Sequence, residues 1–497
     1  MINNFIADQI RANFGFEPTI EQSTVITQLS EFLLSDEPEG CFLLHGFAGT
    51  GKTTLVGALV RTLDALKTHC VLMAPTGRAA KVFALHSGHD AHTIHRRIYR
   101  QKSLTDDAAF SLGENKARRT LFIVDEASMI GDDSYGSPFG SGSLLDDLVR
   151  FVYAGEGCRL MMMGDTAQLP PVGQDESPAL SASVLTAYGL KVHNAKLTQV
   201  MRQAEVSGIL SNATAIRQRI AQLISQPLLA SLRTPLRIKC LPDVKSINGG
   251  DLIDAISDCY DHIGVDDTIV VCRSNKTANL YNRGIRATIL YREEELTSGD
   301  RIMIVKNNYY WVKENATAAA PAAADDTEAL KVPTFLANGD MAIIRRVRNV
   351  REMYGFRFAD VLLAFPDYAD YELHATVLLD TLTSESPSMT KEESDRLFNA
   401  VMEDYQHITT KTERYKRLRE DPYFNALQIK FAYAVTCHKA QGGQWNTVFL
   451  DQGWLPPEAI GGTDYYRWLY TAFTRATEQV FLVNWRKEEL EQQANTK

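Results

Sequence analysis

The sequence lacks any long apolar run. No stretch reaches the ~18–20 apolar residues that cross a bilayer, and the longest are strand-sized. Cysteine is sparse: seven residues, at Cys41, Cys70, Cys158, Cys240, Cys259, Cys272 and Cys437, with no pair at the spacing of a metal knuckle. Most lie in apolar runs such as GCFLL, CVLMA and IVVC, as buried thiols do in a reducing cytoplasm. Positive charge is not in excess. Lys and Arg number 52 against 61 Asp and Glu, a net charge of −9, which argues against indiscriminate polyanion binding and leaves room for a local basic groove. The opening MINNFIADQIRANFGFEP carries Asp8 and no basic–apolar–small cleavage pattern, so no signal peptide is expected. What remains is ordinary: 45% hydrophobic, 23% charged and 9% aromatic, which excludes disordered, collagen-like and fibrous chains. A single core stops growing near ~250–300 residues. A chain of 497 residues is therefore expected to hold at least two domains.

From about residue 40, short apolar strands alternate with helical stretches. GCFLLHG precedes KTTLVGALVRTLDALK, CVLMAP precedes TGRAAKVFALHSG, and TLFIVDE and CRLMMMGD follow. This alternation implies parallel α/β layers. A second alternating block starts near residue 236 with RIKCLP, DLIDAISDCYDHI, TIVVC and KTANLYNRGIRATIL. Residues 301–425 change character, with β-rich GDRIMIVKNNYYWVK, the Ala-rich loop ENATAAAPAAADDTEA, β-like MAIIRRVRNV and ADVLLAF, and a charged helical stretch. The α/β pattern resumes at LQIKFAYAVTCHKAQG and ends on QVFLVNW. The pattern predicts an α/β domain at 1–195, a second at 196–300 and 426–497, and an inserted β module at 301–425.

Gly46 to Thr53 reads GFAGTGKT, a full match to G-x-x-x-x-G-K-[ST] between an apolar strand and a helix. Glycines in such a loop let backbone N–H groups point inward around phosphates. Lys52 is expected to reach the β- and γ-phosphates of ATP, and the Thr53 hydroxyl to bind Mg²⁺. Asp125 and Glu126 end the apolar strand LFIVD. Asp125 suits the metal; Glu126 suits the base that deprotonates an attacking water. GDTAQ at 164–168 follows a third apolar strand, at the sheet edge where α/β folds bind ligands. Gln168 there stands to sense the γ-phosphate or its water.

Eight segments now fall in order: GFAGTGKTT, APTGRAAK, TIHR, VDEASM, GDTAQLPPVG, LTQVMRQ, VTCHKAQG and YTAFTRA. Together they resemble superfamily 1 helicases, most closely the RecD-like and Dda-like branch that moves 5′ to 3′. The resemblance implies two RecA-like P-loop domains, with an SH3-like module inserted in the second and marked here by NGD at 338–340. It implies a cytoplasmic, monomeric, ATP-dependent DNA helicase acting on single-stranded and forked DNA, with service in DNA repair and recombination. Carried over by position, Gln22 reads adenine, and Gly46, Gly49, Thr50, Gly51, Lys52, Thr53 and Thr54 hold the nucleotide. Arg202 and Arg475 approach the γ-phosphate from the second domain; an arginine supplied across a cleft stabilises transition-state charge and ties hydrolysis to closure. Thr76, Thr93, His95, Thr436, His438 and Lys439 line the strand channel, where contacts to phosphate are sequence-blind.

Several points stay open. The P-loop comes early in the chain, which favours a stand-alone motor over a subunit docked through an N-terminal region. Between TIHR and VDEAS the family places a strand-separating hairpin. Residues 97–120 admit such a hairpin, with Phe110 near its tip on DNA, or a plain connecting loop. Trp445 suits core packing better than base stacking. RRVRNVR at 345–351 has no acid within it and is a strand-contact candidate, whereas KTERYKRLRE at 411–420 alternates sign as a solvated helix face does. No motif separates DNA from RNA, and a nucleotide-switched binding module without strand separation remains the rival from another class.

Overall fold

The computed structural model describes residues 2–35, 37–101, 110–132, 140–199, 207–226, 236–318, 333 and 335–491. In the first third of the chain the strands are β1 (Gly40–Gly46), β2 (Cys70–Ala74), β3 (Ala91–Thr93), β4 (Tyr99–Gln101), β5 (Phe110–Leu112), β6 (Leu121–Val124), β7 (Arg159–Gly164) and β8 (Lys191–Leu197). Six of them form one sheet in the order β3-β2-β6-β7-β1-β8, with every pairing parallel. Successive residues of a strand face opposite sides. Cys41 and Leu43 enter one apolar cluster with Phe122, Leu160 and Met162; Phe42 and Leu44 enter another with Leu55, Leu59 and Met161. Both faces are thus buried, which is why β1 and β6 read as continuous apolar runs. The C-terminal ends of β1, β6 and β7 lead into the P-loop, Asp125 and Asp165.

The remaining chain contributes β9 (Ile238–Lys239), β10 (Val244–Ile247), β11 (Thr268–Cys272), then β12 (Arg301–Ile304), β13 (Met341–Met353), β14 (Phe356–Phe365), β15 (Tyr371–Leu378) and β16 (Leu427–Phe431), then β17 (Ala434–Thr436), β18 (Trp445–Asp451), β19 (Ala476–Val483) and β20 (Leu490–Glu491). A second parallel sheet runs β10-β19-β18-β11-β17, and β12 to β16 close into a barrel in chain order. The architecture is two parallel α/β layers with a small β barrel inserted in the second.

The strands adjust three sequence expectations. β8 carries the first sheet to Leu197, past the expected edge at 195. β16, expected to resume the second α/β domain, instead closes the barrel by pairing with β12 and β15. All five of its residues are buried, Gln428 and Lys430 among them, and its apolar–polar alternation suits a strand that pairs antiparallel with β12. YYWVK, expected as strand, is the start of the helix Tyr310–Ala318, whose Trp311 packs into the shared core. β4 and β5 pair antiparallel, so 97–120 contains a hairpin; Gln101 pairs with Phe110 at its outermost rung. The tip at 102–109 and the Phe110 side chain lie outside the described residues, as does the Ala-rich loop at 319–332. All seven cysteines are free, five of them buried.

One buried carboxylate ties the barrel to the second sheet. Asp300, fully buried, accepts hydrogen bonds from Arg286 Nε (3.0 Å) and Nη2 (2.9 Å), Arg292 Nη1 (2.7 Å), Thr297 N–H (2.8 Å) and the Tyr433 hydroxyl (3.0 Å). Removing one side of such a pair strands the other in a dry site. Asp300→Ala is expected to destabilise the chain by about 3–5 kcal/mol, read as a lowered urea midpoint. A loss near zero would mean that this network does not hold the barrel.

Candidate nucleotide site and strand interface

The phosphate loop is built by glycine. Gly49 and Gly51 have φ of 74° and 76°, the left-handed region that side chains avoid. A Cβ on Gly51 would also lie 2.7 Å from Gln22 Nε2. Gln22 is buried: its Oε1 accepts from the Thr19 N–H (2.9 Å), completing a capping box, and its Nε2 donates to the Thr50 carbonyl (3.0 Å). Its amide therefore braces the P-loop, a duty distinct from the base reading that the resemblance implies. Thr50 is buried and its hydroxyl donates to the Phe47 carbonyl (2.8 Å). Lys52 opens the helix Lys52–Ala65 and its Nζ folds back to the Gly46 carbonyl (3.2 Å). Thr53 is half-buried and lines the cleft, while Thr54 is more exposed.

Asp125 is buried at the end of β6. Its Oδ1 accepts from the Glu126 N–H (2.7 Å). Burial pushes its carboxyl up to about 6, as does the neighbouring Glu126, while the Lys52 ammonium pulls it down. Glu126 sits at φ 51°, a left-handed conformation that is costly away from glycine and often held at reactive sites. With its amide oriented to satisfy both ends, Gln168 donates to Glu126 Oε2 (3.3 Å) and accepts from Arg475 Nη2 (3.3 Å). Gln168 therefore joins the acid of the first domain to the arginine of the second. The donor set of one carboxylate and one hydroxyl is hard and oxygen-only, which fits Mg²⁺ keeping most of its waters. Among the described residues no three His, Cys, Asp or Glu side chains gather as a denser metal cage.

The second domain completes the site. Arg475 is buried, with Nε on the Thr471 carbonyl (3.0 Å) and Nη1 on the Gly443 carbonyl (3.2 Å). The helix Thr463–Phe473 also sends Tyr470 to the Ala48 N–H (3.0 Å) and to Asp165, and Thr471 Oγ1 to the Leu169 N–H (2.8 Å). Asp165 is buried and its carboxyl is raised by that burial against the pull of Lys52. Between the domains lies a cleft of about 370 Å³ whose walls include Lys52, Thr53, Asp125, Glu126, Gln168 and Arg475. Arg202 lies outside the described residues. Tyr470, Thr471, Gln441 and Asp165 were not singled out as site residues, although each lies inside a motif segment; their chain positions gave the signal.

The expected channel residues split in character. Thr76 and Thr93 are helix N-caps, accepting from the Ala79 N–H (3.2 Å) and the Arg96 N–H (3.3 Å). His95 is pushed down to about 4 by burial, so it is neutral at pH 7 and adds no charge. Its ring lies among Tyr99 and the barrel's Phe335. On the second sheet Thr436 ends β17 and is partly exposed, and His438 beyond it is exposed. Lys439, half-buried, reaches Asn338 of the barrel; burial, then the nearby Lys430, push it down to about 8. Trp445 is buried under the guanidinium of Arg78, 4.0 Å above its ring, which makes it an interdomain packing residue. Arg345, Arg346 and Arg348 stand exposed on β13, and the helix Lys411–Arg419 is a solvated, salt-bridged face.

Family models match in two places: one for an AAA domain at residues 21–226, and one for a UvrD-like helicase C-terminal domain at 431–483. The ATP-dependent RecD2 DNA helicase of Deinococcus radiodurans is 32% identical over 194 residues, 39% of this chain and 23% of that protein. The ATP-dependent DNA helicase dda of Enterobacteria phage T4 is 29% identical over 179 residues, 35% of this chain and 37% of that protein. An uncharacterised protein, R530, of Acanthamoeba polyphaga mimivirus is 23% identical over 511 residues, 93% of this chain and 98% of its own length. The chain thus spans about a quarter of RecD2 and over a third of dda.

The site yields a direct test. Lys52→Ala should reduce ATP hydrolysis to near background, because the γ-phosphate loses its cation. Glu126→Gln should keep nucleotide binding and lose turnover, by about a hundredfold for a positioned base. Steady-state hydrolysis beside fluorescent-nucleotide binding reads both. Wild-type turnover in Glu126→Gln would reassign the base.

Proposed function

We propose that this chain, which falls in the RecD/Dda branch of superfamily 1, is an ATP-dependent DNA helicase that moves 5′ to 3′ along single-stranded DNA. One observation carries the reading: the acid, the sensing amide and the arginine of a phosphoryl-transfer site come from two domains and meet across one cleft. Lys52 and the loop N–H groups bind the phosphates. Thr53 and Asp125 would hold Mg²⁺, which when bound would supply positive charge against the phosphates. Glu126 takes a proton from water oriented by Gln168. Arg475, joined in this role by Arg202 in the family resemblance, stabilises the developing charge only when the cleft is closed. Closure and reopening then move the two domains' grips on the strand relative to each other.

The strand runs over the ends of both sheets, past Thr76 and Thr93 on one domain and Thr436, His438 and Lys439 on the other, with the β4–β5 hairpin and Phe110 at the fork. The motor acts as a monomer in this reading. No helix among the described residues is long and apolar enough to cross a membrane.

The experiment is ATPase stimulation by single-stranded DNA against RNA of the same sequence. DNA-selective stimulation supports the reading; stimulation by RNA alone points to an RNA motor. Binding should weaken with salt by a log–log slope of about −0.7 per phosphate contacted. Lys439 adds a pH signature. Its ammonium is the form that grips phosphate, and a pKa of about 8 puts its loss inside the assay range. Strand affinity should fall as pH rises from about 7 to 9, and Lys439→Arg should abolish most of that fall. An unchanged slope with pH in wild type would remove Lys439 from the interface.

A further inference from the structure

The helix Thr463–Phe473 reaches the first domain at more than its arginine. Tyr470 is buried to 1% exposure. Its hydroxyl oxygen accepts from the Ala48 N–H of the phosphate loop (3.0 Å), and its proton goes to Asp165. A phenol hydroxyl has one proton and acceptor lone pairs. Here each is matched: the loop N–H only donates, and the carboxylate only accepts. Around this contact stand Lys52 and Glu126 from the first domain and Arg217 from the second.

The next residue repeats the pattern. Thr471 Oγ1 accepts from the Leu169 N–H, while Gln441 Nε2 donates to the Leu169 carbonyl (2.7 Å). Leu169 directly follows Gln168, so the backbone of the sensing loop is fixed by the second domain on both its polar groups. Arg475 lies on the same turn of chain, its Nε on the Thr471 carbonyl. A displacement of the second domain by about 1 Å takes these bonds out of range together.

We propose that Tyr470 is a positioning residue for hydrolysis. Its hydroxyl registers the second domain against both the phosphate loop and Asp165, and so sets where Arg475 lies when the cleft closes. This rests on the two-domain hydrolysis reading above. The ring itself belongs to the apolar cluster of the second domain with Tyr466, Leu469 and Phe473. Phenylalanine keeps that packing and removes only the hydroxyl, which separates a core role from a registering one.

The test is Tyr470→Phe in the full chain. DNA-stimulated kcat should fall about tenfold, the scale of one buried bond to a charged group, with the KM for ATP within about twofold of wild type. Small-angle X-ray scattering should show wild type compacting on ADP with aluminium fluoride and the variant compacting less. Asp165→Asn combined with Tyr470→Phe should be no slower than the slower single variant, since both act through one contact. A Tyr470→Phe chain with wild-type kcat and compaction overturns the proposal. So does a kcat loss that tracks a drop in melting temperature and returns on cooling. A wild type that compacts on nucleotide but never turns over would sink the hydrolysis reading, while the scattering comparison still reports on Tyr470.

Discussion

The nucleotide site cannot be assembled within one domain. Lys52, Asp125 and Glu126 come from the first sheet, and the arginine that answers them from a helix of the second. Gln168 touches both, at 3.3 Å to Glu126 and 3.3 Å to Arg475. Everything else in the architecture serves the relative position of two rigid layers. Each layer is a parallel sheet packed densely on both faces. The contacts across that cleft pair short polar bonds, such as Tyr470 to the Ala48 N–H, with packing of Leu169 into the second domain's core. That is the physical basis on which a chemical event at one edge of the sheets can become a displacement at another.

The barrel occupies the other side of the junction. It is anchored to the second sheet by the Asp300 network and touches the first domain through Lys81, which pairs with Asp367 (3.2 Å). Tyr368 and Asp340 press on Gly77, where a Cβ would lie 2.7 Å and 2.9 Å from their oxygens. Lys439 from the second sheet meets Asn338 on the same loop as Asp340. The ends of both sheets that carry the proposed strand contacts therefore converge on the barrel.

Much of this was legible in the chain. The P-loop, Asp125 and the strand before Gly164 announce themselves because glycine, a buried sheet and a terminal acid leave patterns in sequence order. The barrel's closing strand did not, since LQIKF runs without a break into AYAV, which opens the next strand of the second sheet. The helix at Tyr310 was hidden by aromatic and β-branched residues whose local preference is overridden by packing against the barrel. The bracing of the P-loop by Gln22, through its bond to the Thr50 carbonyl, is a contact between segments that sequence order cannot display. Tyr470 was overlooked because a tyrosine inside an apolar helix reads as core; only the partner of its hydroxyl reveals a second duty.

The central claim is that closure of this cleft drives strand separation. Two duplexes of equal length, one with a 5′ single-stranded tail and one with a 3′ tail, measure it directly when displaced-strand yield is followed with ATP. The account predicts displacement from the 5′-tailed duplex, none from the 3′-tailed one, and none from either without ATP. Vigorous DNA-stimulated hydrolysis with no displacement from either duplex would contradict it, and would make the chain a nucleotide-switched binder of DNA.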